Sequence, residues 1–300
     1  RGDDVKVRPE GVPLSAYTKK TTTDEVLAGI DLSGKTVLVT GATSGLGLES
    51  MRALAARGAS VIGTGRTLAK AREACASVGA RCTPLECELE SLDSVRACAD
   101  AVRALGVPLD VLMLNAGIMS LPKLEQVRGL EKQFAVNHLG HFLLTTRLLP
   151  LLQARPGARI VNVASASHYQ AKRIDWDALR KPTASVTGMQ EYAVSKLANV
   201  LFAKELARRY PAIITTSLHP GVIASDIWSR RIPRPFAWLM TRFMKSTADG
   251  ARTSIHCATA PDVVSGRYYT DAKEKRPSRL ADDAALAAEL WQRSEAWVAG

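Results

Sequence analysis

Tyr192 and Lys196 form a pair of residues whose types and spacing could do acid–base chemistry. They lie four positions apart, so a helix would place both side chains on one face. A phenol with a pKa of about 10 transfers protons poorly at neutral pH, but a nearby ammonium group stabilises the phenolate and lowers that pKa. The pair therefore predicts a tyrosine general acid or base. Tyr269 and Lys273 repeat the spacing, but in a segment without a helical pattern, where the two side chains would not meet.

Gly41, Gly45 and Gly47 form a second group, between a predicted strand at 36–40 and a predicted helix at 46–57. Glycine permits a tight turn and lets a pyrophosphate approach the backbone, with the helix N-terminus facing the negative charge. The placement predicts a dinucleotide site. A purely structural turn is the alternative interpretation.

Arg66 follows the second predicted strand, and that run contains no carboxylate. Enzymes that prefer NAD place an acidic residue at this point to bind the ribose 2′-hydroxyl, whereas an arginine can pair with a 2′-phosphate. The run therefore favours NADP(H) over NAD(H). An ordinary surface cation is the alternative interpretation of Arg66.

Short apolar runs alternate with helical patterns from residue 36 to residue 218. The apolar runs do not alternate with polar residues, which is the pattern of strands buried on both faces. They predict an α/β fold with a single Rossmann-type, doubly wound parallel sheet and helices on both faces. Residues 1–30 are predicted to be an N-terminal extension on the outside of a domain at 31–300.

The composition argues against a nucleic-acid-binding module. The chain has 40 Lys and Arg against 29 Asp and Glu, a formal net charge of +11, but the cations are scattered and aromatic residues are only 5%. Nucleic-acid binders cluster their charge and interleave it with aromatics. We expect no nucleic-acid partner.

The five cysteines include no Cys-x-x-Cys pair, which zinc sites and redox motifs need. They are predicted to be buried thiols, as in a reducing compartment, and the protein is predicted to be cytoplasmic. No apolar run reaches about 18 residues and no leader pattern is found, so neither a membrane span nor a signal peptide is expected. His138 and His141 lack a third ligand nearby, so we predict a structural role for them and no metal site.

Residues 40–47, 115–117, Asn137, Ser165, 192–196 and 220–221 occur in an order that resembles the classical short-chain dehydrogenase/reductase family. The resemblance spans about residues 32–275. Residues 137–142, 195–199, 218–222 and 265–271 are most similar to the retinol dehydrogenase-like and WW-domain oxidoreductase-like members.

The resemblance implies a role for each of four catalytic residues. Tyr192 would exchange a proton with the substrate, and Lys196 would hold the nicotinamide ribose and lower the tyrosine pKa. Ser165 would hydrogen-bond the substrate oxygen, and Asn137 would hold a water of a proton relay behind Lys196. Ser167 is the alternative to Ser165, because Ala164 stands where relatives often have another serine.

The resemblance also implies a set of cofactor-binding residues, in which Asn115 to Gly117 line the adenosine side and Ile223 anchors the carboxamide. The full set is Gly41, Ser44, Gly45, Leu46, Gly47, Arg66, Glu88, Leu89, Asn115, Ala116, Gly117, Tyr192, Lys196, Pro220, Gly221, Ile223 and Ser225. Glu88 stands where the family often has aspartate, which alters the adenine contact. Ser225 replaces a threonine near the nicotinamide amide, which is conservative chemistry.

Residues 226–246 are rich in aromatic side chains and methionine, at the place where the family has its substrate lid. Such side chains suit a bulky apolar ligand. A packing helix, a contact in a homo-oligomer and weak association with a membrane surface are alternatives. We therefore expect hydride transfer between NADP(H) and a hydrophobic ketone or aldehyde and its alcohol. The alternative is a non-catalytic NADP(H)-binding regulatory protein, which would need neither Tyr192 nor Lys196.

Overall fold

The strands that the computed structural model describes, over residues 21–119, 125–221 and 247–299, make one large sheet and one hairpin. They are β1 (Thr36–Val39), β2 (Ser60–Gly65), β3 (Cys82–Glu86), β4 (Val111–Leu114), β5 (Gln126–Val127), β6 (Leu130–Glu131), β7 (Arg159–Val163), β8 (Ile214–His219), β9 (Tyr268–Thr270) and β10 (Lys273–Lys275). The sheet has the order β10-β9-β8-β7-β4-β1-β2-β3, and β5 pairs with β6. All neighbours in the sheet are parallel except β10, which runs antiparallel to β9.

Helices cover both faces of the sheet. Those of the described residues are α1 (Thr23–Val26), α2 (Gly45–Ala56), α3 (Leu68–Val78), α4 (Leu92–Ala104), α5 (Lys132–Phe134), α6 (His141–Gln153), α7 (Met189–Arg209), α8 (Thr247–Thr259) and α9 (Ala284–Ala299). A π-helical turn, Ala135–Gly140, joins α5 to α6. The predicted doubly wound α/β fold is confirmed.

The side chains of β1 show why helices cover both faces of the sheet. Successive side chains of a strand point to opposite faces. Leu38 accordingly packs into a core with α4, α6, α7 and α9, whereas Val37 and Val39 pack into a second core with α2, α3 and α8. Every residue of β1 is buried, so neither face of the strand is exposed to solvent.

Two cysteines correct the prediction that all five are thiols. Cys75 in α3 and Cys82 in β3 form a disulfide. A short loop turns the chain from the end of α3 back into β3, which brings the two Cα atoms to 5.1 Å, within the range that a disulfide spans. Cys87, Cys98 and Cys257 are buried thiols, as predicted.

The part of the predicted N-terminal extension that the structure describes contributes to a core. Val26 and Leu27 are fully buried in the cluster that contains α2 and α8. The predicted lid at 226–246 lies outside the described residues. Within the described ranges, every helix is too short or too polar to cross a membrane.

Candidate active site

The predicted site residues that the structure describes gather at one edge of the sheet, where the parallel strands end. Gly41 follows β1, Asn115 follows β4, Ser165 follows β7 and Pro220 follows β8. In an open α/β sheet, ligands bind outside the carboxyl ends of the strands where the strand order reverses. That reversal lies at β1, which is hydrogen-bonded to β2 on one side and to β4 on the other.

A different structural feature accounts for each of the three glycines in the loop after β1. Gly41 has φ +63°, and a Cβ built there would lie 2.8 Å from the Cβ of Ala116. Gly47 would place a Cβ 2.3 Å from the carbonyl oxygen of Gly41. Gly45 has φ +56° and opens α2 with nothing within 4 Å of an added Cβ. The side chain of Ser44 does not cap α2, so the loop fits a diphosphate at the backbone N–H groups of the helix start.

Thr40 connects the glycine loop to the end of β4, a role that the sequence analysis missed. Its Oγ1 accepts hydrogen bonds from the backbone N–H groups of Asn115 at 2.9 Å and Ala116 at 3.1 Å. The Asn115 amide donates back to the Thr40 carbonyl at 2.9 Å. Asn115 thus holds the glycine loop in place through its hydrogen bonds with Thr40. The only signal in the sequence was the position of Thr40 directly before Gly41.

Arg66 is exposed at the end of β2, and a carboxylate that the sequence analysis missed lies beside that end. Glu86, the last residue of β3, is in register with Gly65. Its Oε2 accepts a hydrogen bond from the backbone N–H of Leu68 at 3.0 Å, so this carboxylate is engaged by the start of α3. Only strand pairing brings Glu86 to this place, because 20 positions separate it from Arg66 in the chain.

Glu88 and Leu89 follow β3 and form the adjoining wall. The backbone N–H of Glu88 donates to Ser94 Oγ at 2.9 Å, while its carboxylate accepts from the N–H of Glu90 at 3.2 Å. Leu89 is buried directly against Gly140, where an added Cβ would lie 2.8 Å from the Leu89 carbonyl oxygen. These contacts determine the shape of the loop in which Glu88 sits.

Tyr192 and Lys196 lie on α7, with the Lys196 Nζ 5.7 Å from the centre of the Tyr192 ring. Burial raises the pKa of Tyr192 to about 12, and a hydrogen bond with the Ser165 side chain opposes that shift. Burial lowers the pKa of Lys196 to about 8. The pKa of Tyr192 therefore lies above its ordinary value and not below it as expected, because burial is the larger effect. The Lys196 ammonium donates to the Val163 carbonyl at 3.0 Å.

Ser165, and not Ser167, is the serine next to Tyr192. Its Oγ lies beside the tyrosine hydroxyl, where it lowers the pKa of Tyr192 against the effect of burial, and it donates to Ser167 Oγ at 3.2 Å. The backbone N–H of Ser167 donates to Ser165 Oγ at 3.1 Å. Of the two serines, Ser165 is thus the one placed against Tyr192, and Ser167 supports it.

Asn137 lies in the π-helical turn, and its side-chain amide is fully engaged by the protein. Its Oδ1 accepts from the N–H of Ile118 at 2.8 Å, and its Nδ2 donates to the Ile118 carbonyl at 2.9 Å and to Ser195 Oγ at 3.0 Å. Ser195 Oγ in turn donates to the Tyr192 carbonyl at 2.8 Å. Asn137 and Lys196 also approach one another at Gly117, where an added Cβ would be 3.3 Å from both side chains.

Four predicted cofactor-binding positions remain, of which the structure describes two. Pro220 and Gly221 directly follow β8, and Gly221 has φ +94°. Ile223 and Ser225 lie outside the described residues. Tyr269 and Lys273 lie in β9 and β10, which confirms that the second Tyr–Lys spacing is not helical.

His138 and His141 are both fully buried and bonded within the protein. His138 Nε2 pairs with Ser294 Oγ at 2.8 Å, and His141 Nε2 pairs with Thr40 Oγ1 at 2.8 Å. Burial lowers both pKa values to about 3, and the Lys196 ammonium adds to the effect at His141, so both rings are neutral. These contacts support the structural role that the sequence predicted.

Comparison with known proteins agrees with this geometry. Residues 35–176 match the family model described as short chain dehydrogenase. Human retinol dehydrogenase 14 is 40% identical over 295 residues, which cover 89% of this chain and 87% of the relative. The WW domain-containing oxidoreductase of Danio rerio is 36% identical over 318 residues, which cover 99% of this chain and 75% of the relative.

A solved structure extends the likeness to the fold. An uncharacterized protein from Mycobacterium paratuberculosis superposes with a TM-score of 0.74 at 33% identity, over 90% of this chain and 95% of that chain. The relatives confirm the resemblance to retinol dehydrogenases and WW domain-containing oxidoreductases. Because identity of this level runs through most of both chains, the chain belongs to the short-chain dehydrogenase family and is an oxidoreductase acting on CH–OH groups.

Proposed function

We propose that the protein interconverts a hydrophobic ketone or aldehyde and its alcohol, with NADP(H) as cofactor and Tyr192 as general acid and base. The observation that carries the proposal is the position of the Ser165 hydroxyl beside Tyr192, where it lowers the pKa of the phenol against the effect of burial, with Lys196 one helical turn away. A phenol and a serine hydroxyl that meet at a strand end can hold one carbonyl oxygen between them.

The residues of the site suggest how the proton would move. A bound nicotinamide dinucleotide supplies or accepts the hydride. Ser165 would bind the substrate oxygen, and Tyr192 would give its proton to that oxygen during reduction and take it back during oxidation. With a pKa of about 12, Tyr192 is a neutral phenol at neutral pH and is ready to donate. Lys196, with a pKa of about 8, is still cationic there and would hold the ribose.

Replacement of Tyr192 by phenylalanine tests this assignment. We expect turnover of a carbonyl substrate to fall by about 10²- to 10⁴-fold, the usual contribution of a general acid, while the Kd of NADPH stays within about twofold. Tyr210→Phe is the matched control, because Tyr210 lies at the far end of the same helix. Initial rates and fluorescence titration with NADPH provide the two readouts. Activity that survives in Y192F would refute the role of Tyr192.

The preference for NADP(H) rests on Arg66, the exposed cation at the end of β2. Glu86 is the nearby acid, and its hydrogen bond from the Leu68 N–H draws it toward α3. An exposed guanidinium can pair with a 2′-phosphate in bidentate geometry.

Arg66→Glu is expected to raise the Kd of NADPH by about 10- to 100-fold and to leave that of NADH nearly unchanged. Arg72→Glu, on the exposed side of α3, changes the net charge equally at a position away from the β2 end and serves as control. Equal effects of R66E on the two cofactors would remove the basis for an NADP(H) preference.

The substrate class rests on two supports. Residues 226–246 carry the apolar, methionine-rich pattern of a lid, and human retinol dehydrogenase 14, a relative, is named for retinol, an apolar alcohol. A panel of apolar aldehydes and ketones with NADPH tests this class and separates it from a non-catalytic cofactor-binding regulator. Tight NADPH binding without turnover of any carbonyl would favour the regulator. The cytoplasmic location and the absence of a nucleic-acid partner stay predictions.

A further inference from the structure

His168 lies one turn after Ser165, fully buried, and both nitrogens of its ring have partners. Nδ1 is 2.6 Å from the Ser165 carbonyl oxygen, and Nε2 is 3.1 Å from the backbone nitrogen of Ser278. These partners lie on opposite sides of the ring and 113 positions apart in the chain. The imidazole therefore bridges the turn after β7 and the segment after β10.

The two partners determine which nitrogen carries the proton. The N–H of Ser278 can only donate, so Nε2 must accept. The carbonyl oxygen of Ser165 can only accept, so Nδ1 must donate. His168 is therefore the neutral Nδ1–H tautomer, and burial lowers its pKa, which favours the neutral ring.

Two aromatic side chains also pack against the His168 ring. Its centre is 4.1 Å from that of Tyr169 and 4.9 Å from that of Tyr268. The Tyr169 hydroxyl donates to the Arg276 carbonyl, which adds a second connection between the same two segments. A ring held at both nitrogens and between two aromatic side chains has little freedom to move the carbonyl that it binds.

We propose that His168 is a positioning residue for Ser165: the Ser278 N–H selects the Nδ1–H tautomer, and the ring then holds the Ser165 backbone so that its hydroxyl meets Tyr192. His168 itself does not touch the reacting atoms. The inference rests on the proposed role of Ser165 and concerns the geometry at the substrate oxygen. We expect no effect on cofactor binding, because Gly41, Arg66 and Asn115 follow other strands, β1, β2 and β4.

Two substitutions of the ring separate its two contacts. In His168→Asn, the amide nitrogen can take the place of Nδ1 and still donate to the Ser165 carbonyl. In His168→Gln, the longer amide reaches the place of Nε2 and loses that donation. We expect H168Q to lower kcat by about 10- to 100-fold, H168N to retain most of kcat, and neither to change the Kd of NADPH.

Two substitutions at Ser278 test the tautomer without touching the imidazole. Ser278 has φ −62°, which proline adopts, so Ser278→Pro removes the N–H donor with little strain. Ser278→Ala removes only the hydroxyl that caps Ala281. We expect S278P to lower kcat as H168Q does and S278A to behave as the unaltered protein. If H168Q fails to fold, this pair carries the test.

Nitrogen-15 NMR of the five histidines gives a readout that is independent of turnover. With the His168 signals assigned from the spectrum of H168N, we expect the proton on Nδ1 in the unaltered protein and in S278A, and a redistributed proton in S278P. A proton on Nε2, unchanged kcat in H168Q and S278P, or equal losses in H168N and H168Q would each overturn the proposal. An unaltered protein that binds NADPH and turns over no carbonyl would instead refute the proposed function, whatever the tautomer.

Discussion

Burial shifts the pKa values of Tyr192 and Lys196 in opposite directions, and both shifts favour the uncharged side chain. The tyrosine can donate its proton at neutral pH without prior ionisation, whereas alcohol oxidation requires that a proton be removed from it first. Higher pH should therefore help oxidation more than reduction. The same effect of burial lowers the pKa values of His138, His141 and His168 and favours their neutral rings.

His138 should make the protein sensitive to acid. Its pKa is about 3 in the folded protein and about 6.5 in the unfolded chain, so only the unfolded chain gains the proton between these values. The stability that depends on the neutral ring is complete above pH 6.5 and is lost as the pH falls toward 3.

Urea unfolding between pH 7 and pH 4 measures this dependence. His138→Gln should reduce the slope of unfolding free energy against pH by up to about 1.4 kcal/mol per pH unit, because one titrating group is gone. Ser294→Ala removes the hydrogen-bond partner of the ring but not the titration, so its slope should match that of the unaltered protein. Identical slopes for H138Q and S294A would contradict the assignment.

The ends of the strands and the loops that follow them decide what the site can bind. Thr40 holds the ends of β1 and β4 together, and the π-helical turn presents Asn137 to both Ile118 and Ser195. The two glycines differ in their surroundings. Close packing leaves no room for a side chain at Gly41, whereas Gly45 faces open space at the start of α2. Substitutions at these two glycines should therefore have different effects.

Gly41→Ala should lose more stability than Gly34→Ala, although both residues have positive φ. The backbone strain costs about 1–2 kcal/mol at either position. At Gly41 the added Cβ also meets Ala116 at 2.8 Å, whereas at Gly34 it meets nothing within 4 Å. Gly45→Ala should resemble G34A in stability but weaken NADPH binding. Thermal unfolding and NADPH titration test both points, and a G41A as stable as G34A would contradict the packing argument.

Two cores, one on each face of the sheet, hold the site edge together. An aromatic cluster joins α6, α7 and α9 on one face: Phe142 lies 5.3 Å from Phe202 and 5.0 Å from Trp291 between ring centres. On the surface outside these cores several cations pair with local acids, as Arg208 does with Glu205.

Phe142→Ala should lower the unfolding free energy by about 3–5 kcal/mol, because a fully buried ring leaves a cavity among its neighbours. Val186→Ala is the control, since Val186 is 100% exposed and should change stability by no more than about 0.5 kcal/mol. Urea denaturation compares the two variants. Similar losses would show that the aromatic cluster is not a main source of stability.

The fold class and the pairing of Tyr192 with Lys196 could be predicted from the sequence alone. Both depend on local patterns: unbroken apolar runs indicate strands buried on two faces, and a spacing of four indicates one helix face. The edge on which Gly41, Asn115 and Ser165 meet follows as well, because the carboxyl ends of parallel strands lie together.

Other features were decided only by the tertiary structure, because they depend on how the helices, strands and loops pack against one another or on burial. The Cys75–Cys82 disulfide needs α3 to fold back onto β3, and Glu86 reaches the end of β2 only through strand pairing. The bridge from Ser165 through His168 to Ser278 spans two distant segments. The pKa of Tyr192 rises because burial outweighs the opposing effect of the Ser165 side chain, which no spacing in the sequence reveals.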